Sequence, residues 1–343
     1  MGKEIFNKIL DLVQEFKQIS DKQFNKLALE VFSYQYKTNK SYKKYCDRLK
    51  KDPSKVDHWL DVPFILTRFF KDVQITNLKD KEVYEVGRTG GTGLPGKVGH
   101  IFRDKKTVGL MYTAFSKVLS YYTPLQKNKG RKFLLFYPPE REEVEDLGIA
   151  AVKGIGRKAD AKFLDSFEEL EKEIKKARKS PVDVFLASPI LPHLLRKAKT
   201  NRWKFPEDTF LIDQGKKRSK GIGKLGILKH NYVNLYGLTE VNSEFCDSAY
   251  INWLENNRDP VYRPNLPWTR TIAVHPETLE RLQEGKKGLL RHYDLTNLTH
   301  CLAIQTDDLG YEIEKGFEVI GKKKGAEAKT CSYVTKELLG LEK

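Results

Sequence analysis

The sequence predicts an α/β protein with mostly parallel sheets flanked by helices and a C-terminal antiparallel β subdomain. Two patterns indicate this class. From about residue 83 to residue 236, apolar segments of strand length alternate with helical segments, which is typical of a parallel sheet covered on both faces. After Pro260, short apolar runs are joined by turns, with only one short helical stretch near 277–284, which indicates an antiparallel meander or barrel.

Two amphipathic helices are predicted before the alternating region. Residues 3–17 and 22–35 each place apolar side chains at helical spacing, and both patterns are typical of helices that cover a core. The side chains concerned are Ile5, Ile9, Val13 and Phe16 in the first segment and Phe24, Leu27, Ala28 and Val31 in the second.

The alternating region begins with a strand and ends with a strand. Strands are predicted at 83–87, 132–137, 182–188, 209–213 and 232–236, and helices at 106–121 and 166–178. Ser166 with Glu169 three residues on has the spacing of a helix-capping box. The antiparallel region is predicted to contain four strands, TRTIAVH, GLLRHYD, CLAIQT and GFEVIG.

The composition excludes several classes of protein. The 343 residues include 62 Lys and Arg against 46 Asp and Glu, a net charge of +16. Such an excess attracts polyanions. No nucleic-acid recognition motif accompanies it, so we interpret the charge as a solvated lysine-rich surface and expect no nucleic-acid partner. A hydrophobic content of 39% is enough for a substantial core.

The apolar runs are too short to span a bilayer, and the charged N-terminus lacks the apolar core of a secretory signal. We therefore expect no transmembrane segment and a cytoplasmic location. The four cysteines are far apart and form no C-x-x-C pair, which argues against structural zinc and favours free thiols.

The segment RTGGTGLPGK (88–97) follows the predicted strand at 83–87. Closely spaced glycines let backbone N–H groups converge on an anion, because no Cβ blocks the approach, and threonine hydroxyls and a lysine add donors. The segment therefore predicts a phosphate site, with a flexible glycine turn as the alternative. The predicted phosphate-binding residues are Thr89, Gly90, Gly91, Thr92, Gly93 and Lys97.

Residues 91–97 also fit the pattern G-x-x-x-x-G-K of nucleotide-binding P-loops. That pattern requires Ser or Thr at the next position to hold magnesium, and a helix after it. Val98 follows here, and VGHIF (98–102) predicts a strand. We therefore reject the P-loop interpretation.

Two further segments carry carboxylates next to predicted strands. In YGLTE (236–240), Glu240 lies at the end of a strand, where open α/β sheets bind ligands, and is a candidate magnesium ligand. Tyr236 is a candidate to stack on a base. In TDDLG (306–310), Asp308 is a candidate to accept hydrogen bonds from ribose hydroxyls. A helix cap and a simple turn are the respective alternatives.

These segments, in this order and spacing, resemble the adenylate-forming superfamily of acyl-CoA synthetases, luciferases and related ligases. The glycine-rich segment is similar to the phosphate loop that ends in Pro-x-Lys, YGLTE to the aromatic-Gly-x-Thr-Glu motif, and TDDL to the ribose-binding Thr-x-Asp-Leu. GFEVIGKKKG (316–325) resembles the hinge motif. The resemblance implies ATP and Mg²⁺ as cofactors and adds Tyr236, Gly237, Thr239, Asp308 and Lys322 to the nucleotide-binding residues.

A closer resemblance covers nearly the whole chain. FSYQYKTNKSYKKYC (32–46), VPFILTRFFKD (62–72), GRTGGTG (87–93) and GFEVIGKKKGAEAKTCS (316–332) resemble the bacterial acyl-protein synthetases, the long-chain-fatty-acid ligases of the bioluminescence fatty-acid reductase complex. The resemblance implies that ATP and a fatty acid give acyl-AMP and diphosphate. It also implies that the acyl group passes to a cysteine near the C-terminus and then to a partner reductase.

Cys331 occupies the place of that cysteine. Its surroundings are polar, and Lys329 two residues away is a cation of the kind that lowers a thiol pKa and raises the thiolate fraction. We therefore predict Cys331 as the acyl carrier. Cys246 is the competing nucleophile, and Cys301 lies in an apolar segment and is predicted to be a core residue.

Two basic segments have open roles. Most adenylate-forming enzymes have a second, mobile domain after the hinge that supplies a lysine, whereas only residues 322–343 follow here. We expect the fold without a full mobile domain, with the catalytic cation among Arg88, Lys97, residues 322–324 or a partner's residue. In the loop 213–226, Gly215, Lys216 and Lys217 either contact nucleotide or diphosphate or form an exposed basic loop.

The predicted function is therefore that of an acid–thiol ligase acting on a carboxylic acid, a long-chain fatty acid by resemblance. Lys97, Glu240 and Cys331 are the predicted catalytic residues, with Glu240 as the metal ligand, and an acyl-CoA reductase-type protein is the expected partner. The predicted domains are a helical and nucleotide-binding body at 1–260, a β-rich subdomain at 261–321 and a tail at 322–343. The alternatives are an acyl-CoA ligase that releases acyl-CoA and a non-catalytic basic binding module.

Overall fold

The computed structural model describes residues 2–89, 98–136, 156, 160–177, 180–187, 190–201, 204–215 and 217–323. Contacts divide them into two compact units. The first unit takes its described residues from 1–114, 237–244 and 264–328, and the second from 115–236 and 245–263. The predicted α/β class with a C-terminal antiparallel sheet is confirmed. The predicted domain boundaries after residues 260 and 321 stay a prediction.

The helices of the described ranges are α1 Gly2–Glu15, α2 Asp21–Thr38, α3 Lys40–Arg48, α4 Lys105–Tyr122, α5 Phe167–Lys176, α6 Leu191–Asn201 and α7 Ala249–Leu254. The strands are β1 Ile65–Leu66, β2 Glu85–Thr89, β3 Gly99–Arg103, β4 Lys132–Phe136, β5 Ala161–Leu164, β6 Val182–Leu186, β7 Phe210–Gln214, β8 Tyr232–Leu238, β9 Val241–Cys246, β10 Arg263–Pro264, β11 Thr269–Val274, β12 Lys287–Asp294, β13 Ala303–Ile313 and β14 Gly316–Lys322.

Both predicted N-terminal helices are confirmed. Helix α1 ends one residue before Phe16, whose φ of 52° is incompatible with a continuing helix, and the Phe16 ring packs edge-on against Trp268 with centroids 5.5 Å apart. Helix α2 begins after Ser20, which forms a capping box with Gln23. The predicted cap at α5 is also present, because the Ser166 hydroxyl accepts a hydrogen bond from the Glu169 N–H at 3.2 Å.

The C-terminal sheet has the strand order β10-β14-β13-β12-β11, and β1 pairs in parallel with β13. The connection from β12 to β13 is fixed to helix α2 by a buried amide. Gln35 donates from Nε2 to the Asn297 carbonyl at 2.6 Å and accepts from the Leu302 N–H at 2.9 Å. A buried amide that is fully paired fixes its partners in one arrangement. The connection therefore has a defined position on α2.

The second large sheet has the order β5-β4-β6-β7-β8-β9. Its first five strands pair in parallel, and all five residues of β6 are buried, as expected for a strand covered on both faces. The predicted parallel sheet is confirmed. None of the helices in the described ranges is long and apolar enough to cross a membrane.

The helical stretch predicted near 277–284 is wrong. These residues form turns, and Arg281 makes an isolated antiparallel bridge to Val274. The His275 ring nitrogen Nδ1 accepts from the N–H groups of Glu277 and Thr278, and Leu279 has a φ of 61°. The spacing of apolar residues is typical of a helix. However, the His275 side chain accepts hydrogen bonds from the N–H groups that lie at the start of the predicted helix.

Candidate active site

The strand that leads into the glycine-rich segment ends in a hairpin. Strands β2 and β3 pair antiparallel with Thr89 opposite Gly99, and the Gly99 N–H donates to the Thr89 hydroxyl at 3.1 Å. A Cβ at Gly99 would collide with that hydroxyl and lie 3.1 Å from the Phe70 carbonyl oxygen, so the position requires glycine. The strand predicted at 98–102 is confirmed, which agrees with the rejection of a P-loop.

The remaining predicted phosphate residues, Gly90, Gly91, Thr92, Gly93 and Lys97, lie outside the described residues. Thr89 itself is buried, and its hydroxyl faces the start of β3. The hairpin thus fixes both ends of the predicted loop. The roles assigned to the loop residues stay predictions.

The two residues that join β8 to β9, Thr239 and Glu240, form what we call the Thr239 turn. The Thr239 hydroxyl donates to the Arg88 carbonyl at 3.3 Å. The bond joins residues that are 151 positions apart in the chain, so the YGLTE segment and the strand before the glycine-rich segment are adjacent in the fold. Two of the segments identified from the sequence therefore meet.

Arg103, at the end of β3, fastens the hairpin to the Thr239 turn. Its guanidinium donates from Nε to Asn242 at 2.8 Å, from Nη1 to the Glu85 carboxylate at 2.8 Å and from Nη2 to the Thr239 carbonyl at 2.5 Å. The residue is 4% exposed. A Cβ at Gly87 would lie 2.6 Å from the guanidinium, so glycine makes room for it. Sequence reasoning missed Arg103, which directly follows the strand predicted at 98–102.

Glu240 is nearly buried, with 8% of its surface exposed. Its carbonyl accepts hydrogen bonds from the ring nitrogen Nε2 of His300 at 3.0 Å and from the amide of Asn297 at 3.3 Å. Burial, followed by the charge of Arg103, lowers the pKa of His300 to about 3. The imidazole is therefore neutral and donates one N–H to the turn without adding charge. This fixes the backbone of the candidate magnesium ligand.

Asp308 is buried on β13, and its neighbour across the β13–β14 ladder is Lys322. The Asp308 N–H donates to the Thr306 hydroxyl at 3.1 Å, and that hydroxyl donates to the Leu290 carbonyl at 2.8 Å. These bonds fix the backbone of the TDDLG segment. The register of β13 and β14 therefore places Asp308, the predicted ribose-binding residue, opposite Lys322 of the predicted hinge motif.

The cation candidates lie in different places. Arg88 is exposed on β2, and Lys323 donates its backbone N–H to the Asp307 carbonyl at 2.9 Å. Lys97 and Lys324 lie outside the described residues.

The structure adds Lys71, a partly buried residue at the end of the short 3-10 helix Thr67–Lys71. Burial lowers the pKa of Lys71, and the carboxylates of Glu240, Asp72 and Asp307 oppose this shift. Sequence reasoning missed Lys71, because nothing in VPFILTRFFKD distinguishes it from a surface lysine.

Tyr236 belongs to the second unit and Gly237 to the first. The Tyr236 ring is 1% exposed, packs 6.2 Å from the Phe245 ring and lies 5.8 Å from the Arg263 guanidinium. A Cβ at Gly237 would collide with the Glu244 carboxylate, so this position requires glycine. The predicted stacking of Tyr236 on a base stays a prediction.

The loop after β7 starts from a buried polar cluster. Asn234 donates from its amide to the carbonyls of Asp213 and Gly215 at 3.0 and 3.2 Å and to an Asp213 carboxylate oxygen at 3.2 Å. Burial raises the pKa of Asp213 to about 7, and hydrogen bonds from Tyr232 and Asn234 lower it in part. Lys217 is exposed, and Lys216 lies outside the described residues. Both interpretations of this loop stay open.

The described cysteines are buried free thiols: Cys46, Cys246 and Cys301. Burial raises the pKa of Cys46 to about 12 and raises the pKa of Cys246 and Cys301 well above the ordinary thiol value. The thiolate is the nucleophilic form of cysteine, and burial in apolar surroundings disfavours it. Cys246 is therefore a poor nucleophile. Cys331 lies outside the described residues.

Known proteins resemble the chain in sequence and in fold. Residues 5–163 match the family model described as acyl-protein synthetase, LuxE. The long-chain-fatty-acid–luciferin-component ligase of Aliivibrio fischeri is 24% identical over 316 residues, which cover 87% of this chain and 80% of that one. The ligase of the same name from Vibrio harveyi is 21% identical over 328 residues, with the same two shares.

The chain is therefore similar in sequence to the acyl-protein synthetases. A solved structure of 2-hydroxyisobutyryl-CoA ligase, in the postadenylation state with R3-HIB-AMP, has a TM-score of 0.66 and 11% identity, and the match covers 94% of this chain and 74% of that one. At that identity the match shows the fold alone, which is that of an adenylate-forming ligase. The predicted fold class is thereby confirmed. The predicted resemblance to the acyl-protein synthetases and the predicted ligase activity agree with the sequence matches.

The first prediction concerns Arg103. Arg103→Leu leaves the Glu85 carboxylate, 18% exposed, without its ion-pair partner, and it removes the donors to the buried Asn242 side chain and to the partly buried Thr239 carbonyl. The free energy of unfolding is expected to fall by about 3–5 kcal/mol, measured by urea denaturation. Arg281→Leu is the control, because the Arg281 side chain is 46% exposed and its pair with Glu312 is expected to contribute about 1 kcal/mol or less. Equal losses in the two variants would contradict the structural role of Arg103.

The second prediction concerns pH. The folded-state pKa of Asp213, about 7, exceeds the unfolded value of about 3.9, so the folded state binds this proton more tightly. The contribution of Asp213 to stability is therefore present at low pH and is lost as the pH rises to about 7. Asp213→Asn removes this dependence. The variant is expected to gain about 1.4 kcal/mol per pH unit relative to the wild type between about pH 5 and pH 7, measured by urea unfolding.

The groups that face Asp213 are Tyr232, Asn234, Asp247 and Arg263, and all are kept in that variant. Asp208→Asn is the control, because Asp208 is exposed in the turn before β7. This control is expected to track the wild type at every pH. A constant difference between Asp213→Asn and the wild type over the same range would show that Asp213 does not titrate there.

Proposed function

We propose that this ligase activates a long-chain fatty acid with ATP as acyl-AMP and then transfers the acyl group to the thiol of Cys331, for delivery to a partner acyl reductase. The observation that carries the proposal is the junction of the hairpin and the Thr239 turn through Arg103 and the bond from Thr239 to Arg88. It brings the end of the predicted phosphate loop next to the predicted magnesium ligand. The solved neighbour, in complex with an acyl-adenylate, supports the same chemistry.

The residues around the hairpin fit a Mg²⁺–nucleotide. Phosphate oxygens need hydroxyl, amide and cationic donors, which Thr89, the glycine-rich segment and its lysine would supply. Mg²⁺ is usually held by one or two carboxylates together with substrate phosphates and water. Within the described ranges no group of three or more His, Cys, Asp or Glu side chains could hold a metal by itself. A single carboxylate, Glu240, fits a site in which the phosphates of the nucleotide and water supply the remaining ligands. Mg²⁺ would neutralise phosphate charge there.

The first step joins the acid to the nucleotide. A carboxylate oxygen of the fatty acid attacks the α-phosphorus of ATP, and a new P–O bond forms. The bond from the α-phosphorus to the oxygen that bridges to the β-phosphorus breaks, and diphosphate leaves with that electron pair. The contribution of the chain is positioning and charge neutralisation. Thr89, Thr92 and Lys97 would hold the β- and γ-phosphates, and Glu240 would hold Mg²⁺.

Other residues hold the adenosine part. The Asp308 carboxylate accepts hydrogen bonds from ribose hydroxyls, and Lys322 lies beside it in the β13–β14 ladder. By resemblance to the family motif, Tyr236, Gly237 and Thr239 are assigned to the base and the AMP phosphate. Both acid and nucleotide are then held in one orientation, which lowers the entropy cost of the reaction.

The second step moves the acyl group. The Cys331 thiolate attacks the acyl carbonyl of acyl-AMP, the C–O bond to the phosphate breaks, and AMP leaves as its anion. The thiol proton is lost to solvent or a base before attack, and the product is a thioester. The high thiol pKa of the three buried cysteines supports Cys331 as the carrier. A reductase that accepts the acyl group from this thioester is the proposed partner.

The third prediction tests activation. The wild type is expected to catalyse exchange of labelled diphosphate into ATP that depends on a fatty acid. Glu240→Gln is expected to lower the exchange rate about a hundredfold or more, because Mg²⁺, which would neutralise the phosphate charge, would lose its carboxylate ligand. Glu314→Gln, in the exposed turn between β13 and β14, is the matched control and is expected to keep the rate. Absence of exchange with every acid from acetic to octadecanoic acid would exclude the proposal.

The fourth prediction tests transfer. Wild type incubated with ATP and labelled fatty acid is expected to carry a hydroxylamine-labile acyl label. Cys331→Ser is expected to lose the label while keeping diphosphate exchange, and Cys246→Ala is expected to keep both. Label that persists on Cys331→Ser and disappears from Cys246→Ala would assign the carrier to Cys246. Release of free acyl-CoA on addition of CoA alone would instead identify an acyl-CoA ligase.

A further inference from the structure

The short 3-10 helix Thr67–Lys71 lies between segments of the candidate active site. The chain enters it from β1, where Leu66 pairs with Gln305 of β13, two residues before Asp307. At its other end the Phe70 carbonyl oxygen lies against Gly99, 3.1 Å from the position of a Cβ there. This helix therefore runs from the TDDLG segment to the hairpin.

The Phe70 ring makes a second connection. It packs edge-on against the His300 ring with centroids 5.9 Å apart, and His300 Nε2 lies 3.0 Å from the Glu240 carbonyl oxygen. The residue after Phe70 is thus held near three segments at once: the hairpin, the Thr239 turn and β13. That residue is Lys71.

Lys71 is partly buried, and the charges of three carboxylates act on it: those of Glu240, Asp72 and Asp307. Asp72 is exposed, whereas Glu240 is nearly buried and is the proposed magnesium ligand. A lysine in such surroundings interacts with charge more strongly than one in water, because the local dielectric constant is lower. Ammonium groups bind phosphate as point charges.

We propose that the Lys71 ammonium contacts the phosphate chain of ATP and neutralises charge as diphosphate leaves. The inference rests on the proposed function, since it assigns a cation to the same site. It differs from a purely structural ion pair between Lys71 and Glu240. A structural pair affects stability, whereas a phosphate contact affects nucleotide binding and the rate of activation.

The fifth prediction compares Lys71→Met and Lys71→Arg with the wild type. Lys71→Met is expected to weaken binding of Mg-ATP about tenfold by calorimetry and to lower kcat for diphosphate exchange about a hundredfold. Lys71→Arg keeps the charge and is expected to restore most of the binding and part of the rate. Lys81→Met, at an exposed lysine in the following segment, is the control and is expected to match the wild type in both measurements.

The melting temperature without nucleotide separates this proposal from a structural role. Binding and kcat for Lys71→Met within twofold of the wild type, with or without a lower melting temperature, would overturn the proposal. Should Lys71→Met fail to fold, Lys71→Gln, which also removes the charge, decides, because binding and kcat within twofold of the wild type in that variant would also overturn it. A wild type without exchange contradicts the proposed function, and in that case the calorimetric comparison alone decides the role of Lys71 in nucleotide binding.

Discussion

The guanidinium of Arg103 is the group through which the parts of the candidate active site are joined. A buried guanidinium is unfavourable unless each donor has a partner, and breaking one such contact leaves an uncompensated charge. Here the partners come from Glu85 on the hairpin and from Thr239 and Asn242 at the start of β9. Because the same side chain satisfies both segments, neither can shift without exposing a buried charge. The glycine at position 87 is required for the guanidinium to fit.

Glu240 is held from the opposite side by neutral groups. His300 and Asn297 bind its carbonyl, and the connection that carries them is fixed to helix α2 by Gln35 and Asn39. A neutral imidazole donor leaves the charge near the carboxylate unchanged, so the negative charge remains available to a cation. A helix whose sequence pattern indicates only core packing thus contributes to the position of a functional carboxylate.

The distribution of charge separates two kinds of basic residue. The chain has a net charge of +16, and most lysines and arginines among the described residues are exposed, so that water and salt screen their interactions. A few cations are withdrawn from solvent, among them Lys71 and Arg103 in the first unit and Arg263 in the second. In a region of low dielectric constant these contribute far more per charge. Composition therefore indicates an affinity for anions but does not identify the side chains that bind them.

The sequence by itself determined the fold class, the parallel and antiparallel regions, the cap at Ser166 and, through Val98, the exclusion of a P-loop, because these depend on residue order over a few positions. It also indicated the resemblance to the acyl-protein synthetases, because the motifs follow one another in the order typical of that family. It failed at 277–284, where the His275 ring replaced the backbone bonds of a helix.

Only the tertiary structure identified Arg103, His300 and Lys71. Most of their contacts join residues that are far apart in the chain: Arg103 and Asn242 are 139 positions apart, and His300 and Glu240 are 60 positions apart. Such contacts depend on how strands pair and on which side chains lose water when they do. No local pattern of residue types predicts which side chains lose water. For this reason the roles of Arg103 and Lys71 can be recognised in the tertiary structure but not in the sequence.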